Sequence, residues 1–185
     1  MSKTTHVSAF LQKLVRIPSV NPAGDPGTPH TGERRIALFL RDHLRRMGAK
    51  VEMQEVERGR PNVIARFKAR RKSERVVLLE SHTDTVSVLG MTIPPFGGEI
   101  RRGRVWGRGS CDTKGTMAAV LTALANLVRQ KKLPETTDLY FVGAMGEEAG
   151  NEGAIHLVKS DYFRKKGIRP EFAIATEPTE LKIVY

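Results

Sequence analysis

The spacing of apolar residues predicts three long helices in this chain. The first runs over 6–16 and ends before Pro18, and the second runs over 33–47 and ends at Gly48. A third helix is expected from about 114 to 130. It is apolar nearly all round, which is typical of a buried helix rather than one docked by a single face. Its apolar residues are Met117, Ala118, Val120, Leu121, Leu124, Leu127 and Val128.

Shorter apolar runs predict strands between and after these helices. The continuous run Val76–Leu79 is typical of a strand covered on both faces, and Leu139–Met145 is expected to be buried as well. Strands that alternate with helices predict an α/β fold, with a mixed, largely parallel sheet flanked by helices. Further strands are expected at 51–56, 62–67, 172–176 and 181–185, with a short helix over 152–159 and a hairpin over 99–106 that turns at Arg102-Gly103.

Composition indicates a globular protein of one domain. Of the 185 residues, 39% are hydrophobic and 28% are charged. No apolar run approaches the ~20 residues that cross a bilayer, so we expect no membrane partner. The single cysteine, Cys111, excludes an intramolecular disulfide, and residues 1–6 lack the apolar stretch of a secretory signal. We therefore expect a reducing, cytoplasmic setting.

The chain is strongly basic, with 31 basic and 20 acidic residues and a net charge of +11. Dense basic runs lie within 58–75 and 101–108. A nucleic-acid-binding module would interleave aromatic residues for stacking, and only Phe67 and Trp106 qualify. Solvated loops between strands are the favoured interpretation, so no nucleic-acid partner is expected. A basic nucleic-acid-binding module is the alternative from a different functional class.

Imidazole and carboxylate side chains follow the ends of the predicted strands. In open α/β sheets, ligands bind beyond the carboxyl ends of the strands. Several ionised carboxylates at one edge repel each other unless cations neutralise them, and a histidine among them suits zinc or a similar divalent ion. The candidate residues are His82 and Asp84 after the strand at 76–79, Glu147 and Glu148 after 139–145, Glu177 after 172–176, and Asp112 before the third helix.

Five stretches carry a family resemblance, in order along nearly the whole chain: Ser81–Val86, Pro95–Gly98, Gly107–Gly115, Gly146–Glu148 and Thr176–Thr179. Together they resemble the zinc-dependent metallohydrolases that include aminoacylase, acetylornithine deacetylase, succinyl-diaminopimelate desuccinylase and carboxypeptidase G. The resemblance implies a zinc-peptidase-like catalytic domain that cleaves an amide bond of N-acyl amino acids or small peptides. The Glu-Pro-Thr context of Glu177 favours the deacylase and desuccinylase branch. An aminopeptidase or dipeptidase of the same family is the alternative.

The same resemblance assigns the site residues. It implies two zinc ions per complete active site, with cobalt or manganese as substitutes. By this resemblance His82 and Glu177 hold one zinc and Glu148 holds the other. Asp112 bridges the two ions, and the peptide bond that follows it, Asp112–Thr113, is expected to be cis.

Two catalytic residues also follow from the resemblance. Asp84 is expected to accept a hydrogen bond from the far nitrogen of His82 and so to orient the ring. Glu147 is expected to act as the general base toward water and to pass the proton to the leaving amine.

The resemblance also implies how the chain relates to a whole enzyme. The family's catalytic domain is interrupted by a smaller domain that covers the active site and forms a homodimer. Residues 1–185 are then the N-terminal part of the catalytic domain, without the lid or dimerisation domain and without the C-terminal part. The absent part carries the last histidine ligand of the second zinc, for which His156 is the nearest substitute within the chain. We expect the 185-residue chain to hold at most one zinc tightly and to be nearly inactive.

Overall fold

A computed structural model describes residues 6–180 and 182 of the chain. Within these residues, a five-stranded sheet lies between two layers of helices, beside a separate two-stranded hairpin. The helices are α1 (His6–Val15), α2 (Arg34–Arg46), α3 (Lys114–Arg129), α4 (Glu152–Lys159) and α5 (Tyr162–Lys165), with a 3₁₀ turn at Glu147–Ala149. The strands are β1 (Lys50–Glu57), β2 (Arg60–Phe67), β3 (Arg75–His82), β4 (Glu99–Arg101), β5 (Arg104–Trp106), β6 (Thr137–Ala144) and β7 (Phe172–Ala175).

The sheet has the order β1-β2-β6-β3-β7. Strand β3 runs parallel to both β6 and β7, whereas β2 runs antiparallel to β6 and to β1. Four of the five strands therefore point in one direction, which confirms the predicted mixed, largely parallel sheet. The hairpin β4-β5 also forms as predicted, because Arg101 pairs with Arg104 across the turn.

Alternating residues of β2 and β6 point to opposite faces of the sheet and build two apolar cores. Phe141 packs in the larger core with helices α1, α2 and α3. Tyr140 and Val142 pack in the smaller core with Leu157 of α4 and Phe163 of α5. Fully burying a large apolar side chain of this kind stabilises a fold by about 1.5–3 kcal/mol. Helix α5 is an element that the sequence did not predict.

Helix α3 is buried on one face, so the prediction of a helix covered all round is wrong. Its buried residues include Met117, Leu121 and Leu124, whereas Ala119 and Ala123 are exposed. The helix packs one stripe against α1 and the sheet. Val120, Leu127 and Val128, three of the residues on which that prediction rested, are only half-buried, so apolar residues around the helix did not require cover on every side.

The burial expected for β3 is also corrected by the structure. Residues 76–79 of β3 are half-buried rather than covered on both faces, and all four residues of β7 are exposed. Strand β7 lies at the edge of the sheet with β3 as its neighbour, so Phe172 and Ile174 keep 53% and 47% of their surface exposed. The strand predicted at 181–185 lies outside the described residues, except for Lys182. No helix in the described part of the chain is long and apolar enough to cross a membrane.

Candidate metal centre

Three parallel strands end at one edge of the sheet, where the candidate residues collect. His82, the last residue of β3, pairs with Ala144, the last residue of β6. Glu80 pairs with Ala175, the last residue of β7. The 3₁₀ turn Glu147–Ala149 begins shortly after β6. The chain therefore leaves all three strands at the carboxyl edge, where α/β sheets bind ligands.

The imidazole of His82 lies at the centre of this cluster and is 1% exposed. Its Nε2 lies 2.9 Å from Asp112 Oδ1, 3.8 Å from Glu177 Oε2 and 3.9 Å from Glu147 Oε2. Its Nδ1 lies 3.3 Å from Asp84 Oδ1 and 3.1 Å from the Asp84 backbone oxygen. Burial alone would lower the pKa of His82, but the hydrogen bond to Asp84 and the surrounding carboxylates raise it to about 10. One ring nitrogen is thus held while the other faces carboxylates.

Asp84 is fully buried and connects His82 to the turn that follows β6. Asn21 Nδ2 donates to Asp84 Oδ2 at 2.7 Å. The backbone amides of Glu147 and Glu148 donate to the two carboxylate oxygens at 3.0 and 3.1 Å. Burial alone would raise the pKa of Asp84, but the hydrogen bonds from His82 and Asn21 bring it below its usual value. Sequence reasoning missed Asn21, which lies 63 residues from Asp84 in a proline-containing loop.

Asp112 and Glu148 join His82 in a set whose geometry suits a metal ion. Their ligand atoms all lie within 4.8 Å of one another, and residues 6–180 and 182 contain no other such group of His, Cys, Asp or Glu. The backbone amide of Val86 donates to Glu148 Oε1 at 3.2 Å. Burial and the negative charge of Asp112 raise the pKa of both Glu148 and Glu177. An imidazole nitrogen among mutually repelling carboxylates fits a divalent ion such as zinc.

Hydroxyl groups join the loops that carry Asp112 and Glu177. Thr113 Oγ1 donates to the backbone oxygen of Thr176 at 2.8 Å. The hydroxyls of Thr176 and Ser81 lie 2.5 Å apart. The peptide bond Asp112–Thr113 is cis, as the resemblance implies. Both loops are therefore fastened to the end of β3.

Glu80 is a further carboxylate at the site that sequence reasoning left unassigned. It lines a cavity of about 150 Å³ together with Glu147, Asn151 and Glu177. Burial raises the pKa of Glu80 to about 7. The signal was present in the sequence, because residues two apart in a strand share a face and Glu80 lies two residues before His82.

The remaining described histidines and the cysteine lie outside the metal-binding set. His6, His30, His43 and His156 are not members of the described group within 4.8 Å. His43 instead stacks on Phe10, with 4.5 Å between the ring centroids. Cys111 is exposed and unpaired with any cysteine.

Together these features define a class: an α/β domain with a histidine–carboxylate centre at the carboxyl ends of parallel strands. Comparison with known families assigns that class further. The model of "Peptidase family M20/M25/M40" matches residues 78–184, more than half of the chain. The chain belongs to this family, which confirms the resemblance carried by the five motifs.

Curated relatives match most of the chain but extend well beyond it. A succinyl-diaminopimelate desuccinylase from Cereibacter sphaeroides is 32% identical over 175 residues, which cover 92% of this chain and 42% of that protein. An N-formyl-4-amino-5-aminomethyl-2-methylpyrimidine deformylase from Halalkalibacterium halodurans is 32% identical over 159 residues, which cover 83% of this chain and 35% of that protein. The chain thus spans less than half the length of these relatives.

Solved structures share the fold of this chain. Human carnosine dipeptidase 1 matches with a TM-score of 0.73 and 20% identity, over 92% of this chain and 38% of that one. An M20 family metallo-carboxypeptidase from Sulfolobus solfataricus matches with a TM-score of 0.71 and 21% identity, over 93% of this chain and 37% of that one. The predicted zinc-peptidase-like architecture is therefore confirmed.

Proposed function

We propose that the chain supplies metal-binding and catalytic residues to a zinc-dependent hydrolase that cleaves the amide bond of N-acyl amino acids or small peptides. The arrangement around His82 carries this proposal. Its Nδ1 contacts the buried Asp84, while its Nε2 faces Asp112 at 2.9 Å, Glu177 at 3.8 Å and Glu147 at 3.9 Å. When a carboxylate binds one ring nitrogen of a histidine, the other ring nitrogen points in a fixed direction, as it does in metal-binding histidines.

We assign the ligands in two overlapping groups. His82 and Glu177 would hold one zinc, Glu148 would hold a second, and Asp112 would be the ligand shared by the two. Two observations support Asp112 as the shared ligand. Its Oδ1 lies 2.9 Å from His82 Nε2, and the ligand atoms of Asp112, His82 and Glu148 all lie within 4.8 Å of one another. Nitrogen and carboxylate ligands suit zinc, with cobalt or manganese as substitutes.

Glu147 is the proposed general base. Bound zinc would lower the pKa of a water molecule and polarise the amide carbonyl. The backbone amide of Glu147 is fastened to Asp84, and its side chain is 38% exposed and lines the cavity shared with Glu80. Its carboxylate can therefore accept a proton from water and transfer that proton to the leaving amine.

Removal of an acyl group from nitrogen is the substrate class that we favour. The two 32%-identical relatives are named a desuccinylase and a deformylase, and both names describe that chemistry. A dipeptidase or aminopeptidase is the second candidate, because a structural neighbour is named carnosine dipeptidase 1. Hydrolysis rates for N-succinyl, N-acetyl and N-formyl amino acids, compared with those for dipeptides, discriminate between the two.

We further propose that residues 1–185 are the N-terminal part of a catalytic domain. A lid or dimerisation domain and a C-terminal part would complete the enzyme as a cytoplasmic homodimer. Two observations support this: the relatives are more than twice as long, and the edge strand β7 is exposed along its length. The second zinc would then lack its histidine ligand in the 185-residue chain.

The first experiment titrates the 185-residue chain with zinc by calorimetry. We expect at most one tightly bound zinc and negligible hydrolysis, since two carboxylates without an imidazole hold zinc poorly. Absence of zinc binding would overturn the proposed metal site. Two tight zinc ions, or ready turnover, would show instead that the chain completes the second site from its own residues.

A second experiment separates the adjacent carboxylates Glu147 and Glu148 in the full-length enzyme. Glu147→Gln should leave the zinc content intact and lower kcat by roughly 10²–10⁴-fold, because proton transfer is lost. Glu148→Gln should lower zinc occupancy. Glu171→Gln, an exposed carboxylate beside Arg75, is the control and should change neither. Equal zinc loss in the Glu147 and Glu148 variants would contradict the assigned roles.

A further inference from the structure

Four consecutive backbone amides after β6 are each bound by a side chain from a distant part of the chain. These amides lead into the turn that carries Glu147 and Glu148. Asp84, described above at the site, accepts two of the four hydrogen bonds, and Asn62 and Glu33 accept one each. The pairs are Met145 N with Asn62 Oδ1 (3.0 Å), Gly146 N with Glu33 Oε1 (3.2 Å), Glu147 N with Asp84 Oδ1 (3.0 Å) and Glu148 N with Asp84 Oδ2 (3.1 Å).

Glu33 occupies the N-cap position of α2, yet its side chain does not cap that helix. An acidic residue at a helix start normally binds the free amides of the first turn. Here the carboxylate is fully buried and reaches Gly146, which lies 113 residues further along the chain. Its role is therefore tertiary rather than local to α2.

Arg60 fixes the Glu33 carboxylate with a two-pronged contact. Arg60 Nε donates to Glu33 Oε2 and Arg60 Nη2 donates to Glu33 Oε1, both at 2.7 Å. Bidentate pairs of this kind restrict geometry as well as adding energy. Arg60 also bonds the exposed Glu57 through Nη1 at 2.5 Å. Glu33 Oε1 is thus held in place while it accepts from Gly146.

The turn packs directly against this ion pair. Gly146 has φ +70°, and a Cβ there would lie 2.2 Å from Glu152 Oε2 and 3.4 Å from Arg60 Nη2. A displacement of Arg60 or Glu33 would therefore pass to Gly146 and to the residue that follows it, Glu147. The contacts leave little space in which the turn could move independently.

We infer that Glu33, oriented by Arg60, is a positioning residue that fixes the Glu147–Glu148 turn toward the metal centre. The part concerning metal rests on the function proposed above. Outer partners of metal sites typically contribute about 10–100-fold to metal affinity. Glu33 acts one step further out, through the backbone of the residue that precedes Glu147, so its effect belongs at the lower end of that range.

The experiment compares two double variants of the full-length enzyme, because the zinc assigned to Glu148 is not expected to bind tightly to the 185-residue chain. Glu33→Met/Arg60→Met replaces the buried ion pair with apolar side chains, which proteins often tolerate in stability, but removes the acceptor of Gly146 N. The matched control is Asp138→Met/Arg66→Met. Asp138 is also buried, binds Arg66 at 2.8 Å through Nε, and accepts from the amide of Ala69 at 2.8 Å, but its amide partner lies outside the turn.

Hydrogen exchange, zinc calorimetry and urea unfolding are measured on both variants. In the Glu33→Met/Arg60→Met variant we expect the amides of 145–148 to exchange faster and the affinity for the zinc assigned to Glu148 to fall about 10-fold. The control should show a similar change in the urea concentration at which it unfolds. Its amides of 145–148 should exchange as in the parent, and its zinc affinity should equal that of the parent. Unchanged exchange at 145–148 together with parent zinc affinity would overturn the inference, and so would an equal zinc loss in the control.

The design separates this inference from the proposed function. If the parent enzyme binds no zinc, the proposed metal site fails, while exchange at Gly146 still tests whether Glu33 holds the turn. If the first variant does not fold, Glu33→Gln replaces it. This change keeps the side-chain size but places an NH₂ group among the donors Arg60 and Gly146 N. Faster exchange at 145–148 is therefore again expected, and exchange at the parent rate overturns the inference.

Discussion

Two arginines of β2 bind buried carboxylates at opposite ends of the same strand. Arg60 binds Glu33 near the carboxyl edge of the parallel strands, and Arg66 binds Asp138 near the other edge. Each carboxylate also accepts from one backbone amide. The local chemistry of the two pairs is therefore nearly the same.

Their surroundings differ. The Glu33 pair adjoins the turn that carries two site carboxylates, whereas the Asp138 pair holds the amide of Ala69, just beyond the end of β2. Arg60 is 13% exposed and Arg66 is 37% exposed. A buried ion pair therefore does not by itself indicate a functional role. The Glu33 pair differs from the Asp138 pair in lying near the carboxyl ends of the parallel strands, where ligands bind.

The sharpest test of this difference separates zinc binding from stability. His82→Asn should lower the zinc affinity of the chain by at least about 100-fold, since loss of a ligand outweighs loss of an outer partner. Asp138→Asn should lower stability without changing zinc affinity. Calorimetry with zinc and urea unfolding with a chelator present measure the two quantities.

His156→Asn is the matched control for the histidine, because His156 lies on α4 outside the metal-binding set. It should bind zinc as the parent does. A large loss of zinc affinity in His156→Asn or in Asp138→Asn would remove the distinction between the two ends of the sheet.

Single substitutions that remove the buried carboxylate partner of each arginine should differ in their effect on the free energy of unfolding. Glu33→Met removes the buried partner of Arg60 and leaves only the exposed Glu57, which should lower the free energy of unfolding by about 3–5 kcal/mol. Asp138→Met should lower it by about 1.5–3 kcal/mol, because the more exposed Arg66 can reach water. Urea unfolding of both variants gives the comparison. A larger loss in Asp138→Met would mean that burial of the arginine does not set the difference.

The smallest effect is expected at Glu57, the exposed partner of Arg60. Its side chain is 50% exposed, so Glu57→Gln should change the free energy of unfolding by less than about 0.5 kcal/mol. Zinc affinity should stay at the parent value. If Glu57→Gln weakened zinc binding as much as the Glu33→Met/Arg60→Met variant does, the role assigned to Glu33 would belong to Arg60 and both of its partners.

The parts of the molecule that could be predicted from the sequence are those that depend on local patterns. The helical period around Leu40 and the hairpin turn at Arg102-Gly103 are set by neighbouring residues and formed where expected. His82 and Glu177 could be placed at one edge because parallel strands share their carboxyl ends.

The rest depends on contacts between residues far apart in the chain. Glu33 at a helix start gives the sequence signal of an ordinary cap, and its pairing with Gly146 spans 113 residues. Asn21 gives no signal for its hydrogen bond to Asp84. The exposure of β7 depends on which elements lie beside it, and an apolar run in the sequence does not indicate which elements those are.

The exposed strand β7 has a consequence for how the 185-residue chain behaves in solution. Within residues 6–180 and 182, β7 pairs with β3 alone, and an edge strand with apolar side chains such as Phe172 and Ile174 is a template on which another polypeptide can add a strand. The net charge of +11 opposes such association between copies at low ionic strength, because like-charged molecules repel. Salt screens that repulsion over distances of about 10 Å at 0.1 M, so the colloidal stability of the chain should decline as salt is added.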